Sequence, residues 1–140
     1  MKIFVAASYS AKVDYTTGNV YPEYRTWLEG ILSQLESFGH EVVCALRDDD
    51  WRINDIEPAQ AFKLNEAKIS NAEGLLALVS DTVSAAVQME MGMALAQKKM
   101  VAIAHEKVHQ LAYFNQAVVA LGQASEVLLP IGSDPFTDKF

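Results

Sequence analysis

The chain has 140 residues, of which 51% are hydrophobic and 21% are charged, as is typical of a single globular domain. Its formal net charge of -7 argues against binding a nucleic acid polymer, which needs Lys and Arg side chains along a basic face. A single cysteine, Cys44, excludes an intrachain disulfide and a thiolate metal cluster, and we expect neither a metal nor a cofactor.

The apolar segments of the chain are short. Runs such as 74–79 and 100–104 fall far below the roughly 20 residues that a membrane-spanning helix needs. Met1 to Phe4 lead directly into a strand-like segment, without the pattern of a cleavable signal. We therefore expect one domain over residues 1–140, located in the cytoplasm and without a membrane partner.

Apolar periodicity predicts strands that alternate with helices. The chain order is strand 2–8, loop 9–20, helix 22–38, strand 41–46, polar loop 47–52, helix 58–72, strand 74–79, helix 84–97, strand 99–104, helix 114–121 and strand 126–129. This alternation predicts an α/β fold, a doubly wound parallel five-stranded sheet with helices on both faces, Rossmann-like or flavodoxin-like. Ligands of such sheets bind beyond the strand carboxyl ends, here the loops after Ser8, Leu46 and Ser80.

The helix over 84–97 carries a carboxylate, Glu90, on what should be its apolar stripe. A carboxylate there must face a cleft, be paired, or have a shifted pKa. Periodicity alone favours a plainer alternative, in which Glu90 turns outward on the helix rim. Ser84 is a natural N-cap, and its hydroxyl and the following N–H groups would also be able to face an anion.

Residues 89–101 resemble the signature of the nucleoside 2-deoxyribosyltransferase superfamily. The run Glu-Met-Gly-Met-Ala from Glu90, then a helix end with lysine and a buried strand, matches its glutamate, apolar-Gly-x-Ala pattern. In that family the glutamate attacks the anomeric carbon of the sugar, which implies a nucleophilic role for Glu90. Six residues earlier the related nucleoside 5′-monophosphate N-glycosidases have a serine that contacts phosphate, and Ser84 stands at that position.

The resemblance extends more weakly to the first strand and to segment 65–73. The family's opening strand brings small residues to the ligand, which implies substrate contacts for Ala7, Ser8 and Tyr9. It also carries a catalytic tyrosine, at whose position this chain has Phe4. Asn65 stands where the family has a catalytic aspartate, and an amide cannot act as a general acid.

Other groups would have to compensate for these two departures. Tyr9 can supply the missing phenol, and Asp48, Asp49, Asp50 and Asp81 follow strands at the expected ligand edge, Asp81 also being a candidate for substrate binding. For the run at 48–50, a solvated turn is the plainer alternative.

Three further residues near these loops have two interpretations each. Arg47 and Arg52 either bind a phosphate or form salt bridges with the aspartates beside them, and we favour the salt bridges. Trp51 stacks on a base or acts as a packing cap.

In the family, residues near the chain end complete a neighbouring subunit's site. This implies a homo-oligomer, a dimer or larger, and it makes Ser125 a further candidate for substrate binding.

The resemblance thus implies an enzyme that cleaves or transfers at the N-glycosidic bond of a nucleoside or nucleoside 5′-monophosphate, through a covalent glycosyl ester on Glu90. One alternative is a catalytically weak nucleotide-binding or sensing protein of the same fold, which Phe4 and Asn65 favour. A second is a flavodoxin-like or receiver-like module, although the acidic pair expected after its first strand is missing.

Overall fold

The computed structural model describes residues 1–53, 55–80, 84–106 and 110–137. In chain order the elements are β1 (Lys2–Ala6), a 3-10 turn (Ser10–Lys12), β2 (Val13–Asp14), β3 (Asn19–Val20), α1 (Pro22–Ser37), β4 (Glu41–Val43), α2 (Ala45–Asp48), α3 (Pro58–Asn71), β5 (Gly74–Leu78), α4 (Ala85–Ala96), β6 (Met100–Glu106), α5 (Tyr113–Ala120) and β7 (Ser125–Leu129). None of the helices in these ranges has the length and apolar character that crossing a bilayer requires.

Five of the strands form one parallel sheet in the order β4-β1-β5-β6-β7. Its two faces are covered separately, because alternate residues of each strand point to opposite sides. Ile3 and Val5 pack with α1, whereas Phe4 and Ala6 pack with α3, α4 and α5. The predicted doubly wound α/β fold is confirmed, and the chain reverses its direction of travel across the sheet between β1 and β5. A reversal of this kind opens a crevice at the strand carboxyl ends.

The second predicted strand, 41–46, is wrong in its second half. β4 ends at Val43, and the backbone then turns into the short helix α2, whose first bond runs from the Asp48 N–H to the Cys44 carbonyl at 2.9 Å. The Arg47 guanidinium binds the Val42 carbonyl at 2.8 Å, on the open side of this edge strand. The other predicted strands and helices agree with the structure to within about two residues.

The segment predicted as a loop, 9–20, contains regular structure as well. β2 and β3 form a two-stranded antiparallel hairpin with Val13 and Val20 buried, and Gly18 adopts a φ of 80° in its turn. The loop after α2 packs onto this hairpin through bonds from the Val20 N–H to the Trp51 carbonyl and from the Ile53 N–H to the Gly18 carbonyl. The loop after Leu46, predicted to face the ligand, is therefore hydrogen-bonded to the hairpin.

Gly74 at the start of β5 provides a test of how tightly the sheet is packed. An added Cβ would lie 2.9 Å from Phe136 Cε1 and 3.0 Å from Ile3 Cδ1. We expect Gly74→Ala to lower the free energy of unfolding by about 1–3 kcal/mol, since extra volume in a packed core forces its neighbours to move. Urea denaturation measures the change.

Gly30→Ala is the matched control, because Gly30 lies within α1 and an added Cβ there meets no atom within 4 Å. Removing a helical glycine should raise stability by roughly 0.5–1 kcal/mol. A Gly74→Ala variant as stable as the unaltered protein would contradict the packing described for β5.

Candidate active site

A cleft of about 970 Å³ lies at the carboxyl edge of the sheet. The ends of β1, β5, β6 and β7, the first turns of α1 and the N-terminus of α4 enclose it. Its described lining includes Ser8, Tyr9, Lys12, Tyr24, Trp27, Ser80, Ser84, Glu106 and Leu129. Three predicted substrate-binding residues, Ser8, Tyr9 and Ser84, thus line one cleft, and Ala7 is partly buried against the core beside it.

One wall of the cleft is aromatic. The rings of Tyr24 and Trp27 stack with centroids 5.5 Å apart, and the Tyr24 hydroxyl donates to the Ser8 carbonyl at 2.8 Å. Burial raises the pKa of Tyr24, so its phenol stays protonated at neutral pH. Trp27 is 38% exposed and Lys12 lies over the Tyr24 ring. Sequence reasoning missed this wall, because both aromatic residues fit the apolar periodicity of α1.

The N-terminus of α4 opens into the same cleft. Ser84 is its N-cap, as predicted, and its Oγ accepts from the Val87 N–H at 3.4 Å. The first N–H groups of a helix have no acceptor within the helix, and the helix dipole makes this end electropositive. A serine hydroxyl that accepts one bond still has its own proton to donate. Ser84 and the two alanines after it therefore present donors to an acceptor in the cleft.

The central contact of the candidate catalytic residues joins α3 and α4. The Asn65 amide donates from Nδ2 to Oε2 of Glu90 at 3.1 Å. Burial raises the pKa of Glu90 to about 7, while the hydrogen bond from Asn65 acts in the opposite direction. Glu90 is thus neither an exposed rim residue nor a fixed charge, and near neutral pH it exists as acid and as carboxylate.

Glu90 and Asn65 are not among the residues that line the cleft. Glu90 lies six positions after Ser84, which is about 9 Å along the axis of α4. Phe4 is placed beneath the helices, only 1% exposed, and it packs with Val87 and Met91. It therefore belongs to the core beneath the helix that carries Glu90, and it is not among the residues that line the cleft.

The acidic run 48–50, which begins at the last residue of α2, does not line the cleft. Asp48 lies 3.1 Å from Lys68 of α3 and forms an ion pair with it. Asp50 adopts a φ of 58° within the turn that leads to the hairpin. Asp48 is thus held in an ion pair and Asp50 in a tight turn, and Asp81 lies outside the described residues.

The expected ion pairs of the two arginines with their neighbouring aspartates are wrong. Arg47 binds Glu36 at 2.9 Å, and Arg52 binds the Asn19 side-chain oxygen at 2.7 Å. Trp51 is 5% exposed with the Arg25 guanidinium over its ring, so packing is the correct alternative. These partners are distant in sequence, which is why the local pattern did not indicate them.

Ser125 begins β7, at the amino edge of the sheet and therefore opposite the cleft of its own subunit. Its hydroxyl is buried and has no hydrogen-bond partner in the described ranges. A contact between Ser125 and substrate therefore stays a prediction that concerns a neighbouring subunit's site.

No family model matches the sequence, and no curated protein matches it. Among solved structures, the chain is similar to a CMP N-glycosidase from Clostridium botulinum, BcmB, at a TM-score of 0.67 and 19% identity, covering 93% of this chain and 90% of that one. It is also similar to a 2-deoxyribosyltransferase from Bacillus psychrosaccharolyticus, at a TM-score of 0.59 and 15% identity, covering 81% and 79%. A conserved protein from Enterococcus faecalis V583 matches at a TM-score of 0.56 and 18% identity, covering 85% and 72%. The three share the fold of this chain.

The raised pKa of Glu90 predicts a pH-dependent stability. Glutamate has a pKa of 4.5 when unperturbed and about 7 here. The contribution of Glu90 to the free energy of unfolding is therefore most favourable below pH 4.5 and is lost as pH rises through 7. Glu90→Gln removes this loss, which amounts to at most about 3 kcal/mol. Denaturant unfolding of both proteins at a series of pH values measures it, and two curves that run parallel from pH 4.5 to 8 would contradict the buried, titrating carboxyl.

Proposed function

We propose that this chain cleaves the N-glycosidic bond of a nucleoside 5′-monophosphate through a covalent ester between the sugar and Glu90. The observation that carries the proposal is the half-buried carboxyl of Glu90, with a pKa of about 7 and one oxygen held by Asn65. A carboxyl whose pKa is strongly raised by burial is a candidate for catalysis. A fold shared with an N-glycosidase and a deoxyribosyltransferase supports the same reaction class.

The Asn65 contact suits a nucleophile. Asn65 donates to Oε2, and Oε1 receives no hydrogen bond from the described residues, so Oε1 is the oxygen available for attack. In the proposed step a bond forms from Oε1 to the anomeric carbon, and the C–N bond breaks with its electron pair passing to the base. Water then hydrolyses the ester and regenerates the carboxylate, whereas attack by a second base would give transfer.

Ser84 and the electropositive start of α4 support a 5′-monophosphate over a nucleoside. The phosphate would bind at this helix end, and the sugar would extend along the first turns of α4 towards Glu90. Cytoplasmic location and assembly as a homo-oligomer stay predictions alongside this proposal.

A nucleotide-binding or sensing protein is the second candidate, and Asn65 favours it. A departing base needs a proton unless it is a good leaving group, and the amide of Asn65 has none to give at neutral pH. Asp48, the replacement acid nearest to α3, is already paired with Lys68. The two candidates differ in turnover and share the binding site.

Incubation with a panel of nucleosides and their 5′-monophosphates, followed by chromatography of the free base, distinguishes the two. We expect release of base from a monophosphate, and we expect Glu90→Gln to lower the rate by far more than tenfold, because it removes the nucleophile. Glu41→Gln is the control, since Glu41 lies at the opposite edge of the sheet with its side chain 73% exposed.

Equal rates for Glu90→Gln and the unaltered protein would refute the nucleophilic role. If the folded protein binds members of the panel and releases no base from any of them, the sensing protein is the correct function.

Asn65→Asp tests the missing acid directly. An aspartate there would place a second carboxyl about 3 Å from Glu90, and two carboxylates so close cannot both ionise. One of them keeps a proton at neutral pH, so base release should accelerate, by up to about a hundredfold, and most for poor leaving groups. Asn71→Asp, at the exposed end of the same helix, controls for the added charge.

Rates of base release across nucleotides with good and poor leaving bases measure the effect. An Asn65→Asp rate no higher than that of Asn71→Asp, combined with lost activity on replacing Asp48, Asp49, Asp50 or Asp81, would show that a loop aspartate supplies the proton.

A further inference from the structure

A small chamber of about 10 Å³ continues the cleft beneath the first turn of α4. Ser8, Ser80 and Ser84 line both spaces, and Asn115 of α5 lines the chamber from the far side. A space of about this volume holds one water molecule or one oxygen atom of a ligand. The chamber therefore offers a single-atom position at the carboxyl edge of the sheet.

Asn115 is the unusual residue of this chamber. It is 1% exposed, and its Nδ2 is buried without a hydrogen-bond partner in the described part of the chain. More than nine in ten buried polar groups in folded proteins have a partner, and leaving one without costs about 1–3 kcal/mol. Its neighbour Gln116 shows the ordinary arrangement, since Nε2 of Gln116 donates to the Leu111 carbonyl at 2.7 Å.

The groups around the chamber are suited to an anionic oxygen. Asn115 Nδ2 carries N–H donors, Ser84 has a hydroxyl proton to donate, and the N-terminus of α4 is electropositive. The described residues that line the chamber include no carboxylate, whereas Glu23 and Glu106 line the outer cleft. An oxygen atom of negative charge would therefore meet donors here and repulsion farther out.

We propose that Asn115 is a specificity-determining residue of the binding site, which donates from Nδ2 to an oxygen of a phosphate monoester bound at the N-terminus of α4. This rests on the proposed function and adds to it a ligand contact from α5. In the ligand-free protein the buried amide is destabilising, and a phosphate oxygen that enters the chamber supplies its missing partner.

The test compares Asn115→Leu and Asn115→Asp with the unaltered protein, using inorganic phosphate, nucleosides and their 5′-monophosphates as probes. Calorimetric titration measures affinity, and thermal unfolding measures stability. We expect Asn115→Leu to weaken monophosphate and phosphate binding by about tenfold or more, since a charge-assisted hydrogen bond is lost. Asn115→Asp should weaken both further by charge repulsion, and nucleoside affinity should change less than about twofold in both variants.

The stability of the ligand-free variants separates a binding role from a packing role. Leucine removes the unpaired amide and has a similar size, so ligand-free Asn115→Leu should unfold at the same temperature as the unaltered protein or higher. Ser84→Ala serves as a comparison, because it removes an N-cap and should lower stability by about 1 kcal/mol while it weakens phosphate binding. Asn71→Asp controls for the charge of Asn115→Asp.

Monophosphate binding of undiminished strength in both Asn115 variants would overturn the proposal, as would equal losses for nucleoside and monophosphate. Should Asn115→Leu fail to fold, Asn115→Asp decides, since it keeps the size of the side chain. Phosphate binding requires no turnover, so a protein that releases no base still gives a readable result. Absence of phosphate and monophosphate binding in the unaltered protein refutes the contact and leaves cleavage of nucleosides by Glu90 open.

Discussion

Burial of the central sheet on both faces is the constraint on which the rest of the structure depends. Every residue of β5 is buried, and alternate residues of β1 enter two different cores. A sheet of this kind needs helices on both sides, and the crossovers that supply them reverse direction between β1 and β5. The cleft at the carboxyl edge is a consequence of that reversal, because no helix can cover the point where the crossovers diverge.

Helix α4 positions both Ser84 and Glu90. Its first turn presents the N-cap hydroxyl of Ser84 to the cleft, and Glu90 follows about 9 Å along the axis, on the side that faces α3. Its apolar side, with Val87 and Met91, packs over Phe4 in the core. Under the proposed function, this one rigid element would fix the separation between the bound phosphate and the attacking carboxyl, which the sugar would have to span.

Two polar side chains, one on α4 and one on α5, carry unfavourable energies that the folded protein tolerates. Glu90 is partly withdrawn from water, which raises its pKa, and a single amide from Asn65 offsets part of that cost. Asn115 is buried without a partner. Groups of this kind concentrate at functional sites, because a binding site must keep donors and charges ready for a ligand instead of satisfying them internally.

Most of the fold was predictable from the sequence, because apolar periodicity indicates which face of each element packs against the core. The resemblance to a known family singled out Glu90, Asn65 and Ser84 as candidates. The sequence by itself did not determine which residues become partners. The end of β4, the bond from Arg47 to Glu36 and the unpaired amide of Asn115 depend on segments far apart along the chain. Periodicity describes each element in isolation, whereas hydrogen bonds and ion pairs are decided only when the packed elements bring such segments together.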